Sequence, residues 1–122
     1  MNKEDLKRCT KQFAHTIITI TEQIPETIAG TVIARQIIRS GTSTGANYRA
    51  ACRAKSAKDF LNKILIVEEE ADETLYWLEL LQERGLTHSE MLLPAMQECS
   101  ELVALFTAIG KTTRNNINSG KG

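Results

Sequence analysis

Apolar residues recur along most of the chain at steps of three and four. Leu6, Cys9, Phe13, Ile17, Ile20 and Ile24 share one face of a helix from about Lys3 to Gln23, and Ile18 widens that face. Pro25 ends it, because proline lacks an N–H and restricts Ile24 before it. The β-branched run Thr16 to Thr21 favours a strand by composition. The helical spacing persists for some 18 residues, however, and strands are rarely that long.

A second helix is predicted from Pro25 or Thr27 to Ala54. Its weak points are Gly30 and the segment Ser40 to Gly45, SGTSTG. Each interior glycine costs roughly 1 kcal/mol relative to alanine. The pattern stays in phase on both sides, which favours continuity over a break. At about 100° per residue, Arg35, Arg39, Arg49 and Arg53 lie within about 40° of one line. Ile33, Ile37, Thr44, Tyr48 and Ala51 lie on the opposite side. Small residues between the stripes, such as Ser40, would let another backbone come close.

The third helix is predicted from Ala57 to Glu83, with Ser56 as its N-cap and Asp59 as acidic support. Phe60, Ile64, Val67, Ala71, Leu75, Leu78 and Leu81 form its main face. Leu61, Leu65, Ile66, Tyr76, Trp77 and Leu80 carry the apolar surface well round the cylinder. Such a helix needs cover on more than one side. Gly85 follows as a C-terminal cap glycine. The fourth helix starts near Thr87, which has capping-box spacing to Glu90, with Pro94 close to its first turn. Met91 or Leu92, Met96, Cys99, Val103, Phe106 and Ile109 supply its stripe. From Gly110 the periodicity stops, and residues 111–122 read as a frayed, flexible tail.

Four amphipathic helices joined by short turns predict one all-α domain over residues 1–122, an antiparallel up-down four-helix bundle ordered to about residue 110. The excess apolar surface on the third helix, and arginines facing away from the isoleucines of the second, predict a subunit surface.

Charge narrows the function. With 15 basic and 15 acidic residues among 122, the net charge is zero. A broad basic surface for nucleic acid normally brings a net positive charge, and neutrality does little to keep copies apart. Cys9, Cys52 and Cys99 fall in different helices and form no disulfide framework, so they are expected as buried residues in a reducing cytoplasm. No signal peptide is read at the N-terminus, and no apolar stretch approaches the roughly 20 residues of a membrane span.

Candidate chemistry is sparse. Neither His15 nor His88 has a glutamate three residues earlier, as a di-iron bundle requires. No metal, cofactor or catalytic set is predicted. SGTSTG lacks the strand and the G-x-x-x-x-G-K-[ST] spacing of a phosphate loop, leaving close helix packing or a bend. Within the acidic run Glu68 to Glu73, Glu69 and Glu73 should face water together. Glu68 and Asp72 fall at the edge of the apolar face and need partners there, which Arg35 or Arg39 can supply. The arginine stripe has two uses: pairing with carboxylates, at which Arg excels, or contacting phosphates of RNA or DNA.

The motif Arg39-Ser40-x-Thr42-Ser43-x-Gly45-Ala46-Asn47, then Ser56-x-Lys58-Asp59-Phe60, then Glu70-Ala71-Asp72-Glu73 with Trp77-Leu78-Glu79, resembles the 23S rRNA intervening-sequence proteins. These are also called S23-type four-helix bundle proteins. The likeness spans roughly Phe13 to Lys111. Many relatives carry Glu-Gly shortly after the asparagine, where this chain has Tyr48, Arg49, Ala50 and Ala51. The resemblance implies an up-down bundle assembling as a ring, typically a homopentamer, with no recognised enzymatic activity. Distant relatives, the accessory variability determinant proteins, bind nucleic acid and a reverse transcriptase. The expected partners are therefore further copies of the chain, with RNA, DNA or a partner protein as the alternative. A neutral chain does not fit a structural ribosomal protein.

Overall fold

A computed structural model describes residues 1–120. It consists of four helices: α1 Lys3–Thr21, α2 Ile28–Ala51, α3 Ala57–Glu83 and α4 Leu92–Asn118. No strand occurs among the described residues. Each helix packs on its neighbours in sequence, and α4 closes the bundle on α1 by the loosest of the seams. Thr10 lies against Gly45 and Ile17 against Gly41. Likewise the short 52–56 connection returns α3 so that Ser40 meets Thr74, and along α3–α4 Ala71 meets Cys99 while Ile64 lies by Gly110. Each successive pair is therefore antiparallel.

Local chemistry sets most boundaries. Asn2 and Asp5 form a reciprocal capping box on α1. The Thr27 hydroxyl accepts from the Gly30 N–H at the start of α2, and the Ser56 hydroxyl accepts from the Asp59 N–H at the start of α3. The α3 end is a Schellman turn: Gly85 takes φ +61°, while the Gly85 and Leu86 N–H groups donate to the Gln82 and Leu81 carbonyls. The apolar faces then converge. Phe13, Ile17, Ile20, Ile37, Ile64, Val67, Leu78, Leu81 and Phe106 are fully buried in one core. Tyr48 joins them, its ring 5.5 Å from that of Phe106.

Helix α4 departs from expectation at both ends. It begins at Leu92, not near Thr87. The Thr87 and Ser89 hydroxyls instead accept from the Ser89 and Met91 N–H groups and fold residues 87–91 into a turn. Pro94 explains the delay. In a helix starting at Thr87 its ring would clash with the carbonyl of Glu90, whereas at the third helical position its missing N–H costs nothing. The other end runs to Asn118 rather than fraying at Gly110. Gly110 is buried beside Ile64 and Leu65, so it continues the packed face. Thr113 and Ile117 follow at helical steps and are half-buried, with Ile117 beside the Ser56–Lys58 turn. Of the tail expected over 111–122, residues 121 and 122 lie outside the described residues.

By length and composition α4 is apolar enough to cross a membrane, contrary to the sequence reading. Its Leu92, Ala95, Cys99, Leu102 and Phe106 are packed in the bundle core. The cysteines also differ from expectation. Only Cys99 is buried, while Cys9 and Cys52 are partly exposed.

Candidate interaction surface

Helix α2 packs against α1 on one flank and α3 on the other. On the α1 flank the segment SGTSTG is continuous helix without a break, and it packs closely. A Cβ on Gly41 would come within 2.9 Å of Ile17 Cγ2, and one on Gly45 within 3.2 Å of Thr10 Oγ1. The two backbones approach because those side chains are absent.

The α3 flank is polar. The Thr74 hydroxyl lies 2.8 Å from both Ser40 Oγ and the Glu70 carbonyl, and Ser40 donates to the Gln36 carbonyl. All these side-chain atoms are satisfied, as burial requires. Further out, Arg39 Nη1 sits 3.2 Å from Glu70 Oε2 and Arg39 Nη2 pairs with Glu73. Trp77 Nε1 donates to the same Glu73 carboxylate at 3.2 Å. The Arg39 hydrogen bond holds the Glu73 carboxyl below its ordinary range, against an opposing effect of partial burial. In turn the bond to Glu73 raises the Arg39 guanidinium.

These contacts correct the expected pairing. Arg39 does meet the acidic run, but through Glu70 and Glu73, and Glu73 is not simply a solvent-facing partner of Glu69. Glu68 accepts from the Thr107 hydroxyl of α4, and Asp72 is exposed. The helical repeat marks two edges of the α3 apolar face without saying which neighbour lies along each. Glu68 and Asp72 are on the α4 edge; Glu70, Glu73 and Trp77 are on the α2 edge. The spacing Glu70-x-x-Glu73-x-x-x-Trp77 was the available signal for that second edge.

Arg35, Arg49 and Arg53 are exposed. Among the described residues none of them forms an ion pair. Beside the Arg39 network the surface turns apolar: Val32 is 51% exposed, Ile66 44% and Tyr76 57%, next to half-buried Trp77 and Leu80. Ile28, 89% exposed, begins α2 on the same outer side.

Among the described residues no group of three His, Cys, Asp or Glu side chains is placed to hold a metal. His15 and His88 are exposed, His15 on α1 and His88 in the turn before α4. Cys99 donates to the Ala71 carbonyl at 3.2 Å, and burial pushes its thiol up to about 12, which is the opposite of an activated thiolate.

The family model described as 23S rRNA-intervening sequence protein matches residues 3–108. The chain belongs to that family. A crystal structure of a protein of unknown function from the S23 ribosomal protein family, from Bacteroides thetaiotaomicron, is 36% identical. It covers 91% of this chain and 99% of its own, with a TM-score of 0.81. No curated protein matches the chain. The family membership thus agrees with the motif at Arg39 to Asn47, and it brings a fold without an assigned reaction.

Proposed function

We propose that this family member is a non-enzymatic scaffold that works as a homo-oligomer, a closed ring of five bundles in which the outer face of α2 and α3 on each bundle meets a different surface of the next. One observation carries the reading: Val32, Ile66 and Tyr76 are each about half exposed on the face that also holds Trp77 and the Arg39–Glu70–Glu73 cluster. An aromatic and aliphatic patch beside an arginine has the make-up of an interface core. Zero net charge does not oppose it. The native mass of the full chain tests it. A ring of five has a mass near five times 13.6 kDa, and Tyr76→Arg breaks it into folded bundles. A folded monomer of the unaltered chain at micromolar concentration overturns the reading. A dimer keeps the surface and removes the ring.

A second reading, RNA or DNA binding, is favoured by the exposure of Arg35, Arg49 and Arg53 without carboxylate partners among the described residues. Arg39 is engaged with Glu70 and Glu73 and contributes less. Such binding must weaken steeply with salt, because each phosphate contact releases counterions. Absence of binding at low salt removes this reading.

A further inference from the structure

On the α1 flank of α2 lies a groove of about 160 Å³ bordered by Lys7, Lys11 and Arg49, with Thr42, Gly45 and Ala46 among its other walls. We propose that this groove binds a phosphate group. Its shape follows from the packing already described. Gly45 brings the α2 backbone against Thr10, so small residues form a low floor and the long cationic side chains stand around it.

Three properties point to an anion of this size. No carboxylate lines the groove. Lys7 is held by Glu4 at 3.3 Å, but Lys11 and Arg49 have no ion pair among the described residues. Lys11 and Arg49 both line the groove, and an anion placed between them is attracted by each. The volume is well below the roughly 300–1,000 Å³ of a pocket for a drug-sized ligand, so it suits a phosphate with little attached. Arg supplies a planar fork for two phosphate oxygens, and Lys a mobile point charge.

The phosphate can come from a small phosphate ester or from a nucleic-acid backbone. The proposal does not rest on the ring, because the α2–α3 face lies on the other flank of α2. Calorimetric titration of the full chain with inorganic pyrophosphate at low salt is expected to show saturable binding, one site per subunit. Lys11→Glu combined with Arg49→Glu should weaken it at least about tenfold, equivalent to about 1.4 kcal/mol. Ala46→Glu, which removes no cation and only adds a carboxylate at the groove, should weaken it as well. Lys111→Glu, on α4, should leave it unchanged. All four positions are exposed, so the variants keep the fold, checked by an unchanged helical circular dichroism spectrum.

A labelled single-stranded RNA then separates the sources. If it binds and pyrophosphate displaces it, the groove holds a backbone phosphate. If pyrophosphate binds and the RNA does not, the groove takes a small phosphate and the nucleic-acid reading fails alone. No saturable pyrophosphate binding overturns the proposal, as does an equal loss in the Lys111→Glu and Lys11→Glu/Arg49→Glu proteins.

Discussion

The two flanks of α2 solve the same packing problem in opposite ways. Against α1, side chains are removed: Gly41 and Gly45 let Ile17 and Thr10 press onto bare backbone. Against α3, side chains are kept and paired: Ser40 with Thr74 in the interior, Arg39 with Glu70 and Glu73 at the surface. The first flank depends on shape, which tolerates no added volume. The second depends on hydrogen bonds and charge, which water can partly replace. The flanks should therefore respond differently to mutation and to pH.

The largest effect is expected from Gly41→Leu. An added Cβ already falls inside the contact distance of Ile17, and a full side chain forces the helices apart at a typical cost of 1–3 kcal/mol. The gain of about 1 kcal/mol from leaving glycine offsets only part. A net loss of up to about 2 kcal/mol should lower the urea midpoint at fixed protein concentration with an unchanged slope. A stability equal to that of the unaltered protein would mean the α1 flank is not close-packed.

Next comes the buried pair on the other flank. Thr74→Val removes a hydroxyl between Ser40 and Glu70 and should cost about 1 kcal/mol in the same denaturation. Adding Ser40→Ala should cost little more, because both polar partners have then been replaced together. Strict additivity of the two substitutions would show that the Ser40–Thr74 contact contributes nothing.

Arg39→Met should be the mildest, within about 0–1 kcal/mol for the isolated bundle, since the cluster is partly open to solvent. Its signature is in the pH dependence. The Glu73 carboxyl is depressed in the folded state. Its stabilisation is therefore present above the ordinary carboxylate pKa and fades as pH falls through the lower folded value. Unfolding midpoints between neutral and acid pH should lose that component in Arg39→Met and retain it in Gly41→Leu. The reverse pattern would place the charge coupling on the wrong flank.

The thiols offer a fourth check, on the α3–α4 seam. Cys99 is buried and its thiol is pushed up to about 12, so it should resist a disulfide reagent at mildly alkaline pH until the bundle unfolds. Cys9 and Cys52 are partly exposed and should react in the native protein. Rapid modification of Cys99 in the folded chain would show that the core opens along α4.

Helix type, helix number and the caps of α3 were legible in the sequence. The spacing Phe13–Ile17–Ile20 and the cap residues Ser56 and Gly85 act over one or two turns, and local order suffices to read them; the Asn2 and Thr27 caps went unread, and the cap expected at Thr87 does not start α4. Helix α4 was harder at both ends. Its start depends on what Pro94 forbids, and its last two turns contain one large apolar residue, Ile117, whose partner lies some sixty positions away at the start of α3. The arginine stripe was legible as a stripe. Its division into one engaged residue, Arg39, and three without an ion pair among the described residues was not.

What the sequence by itself determined is therefore the set of helices, their buried faces and the order in which they fold back. Each is carried by a period of 3.6 residues and by capping groups within hydrogen-bonding reach. What only the tertiary structure decided is which edge of each helix meets which neighbour. Periodicity is symmetric about the centre of an apolar face and does not encode the hand of the bundle. That hand gave Glu68 to α4 and Glu70 and Glu73 to α2, and it set Lys7 and Lys11 beside Arg49.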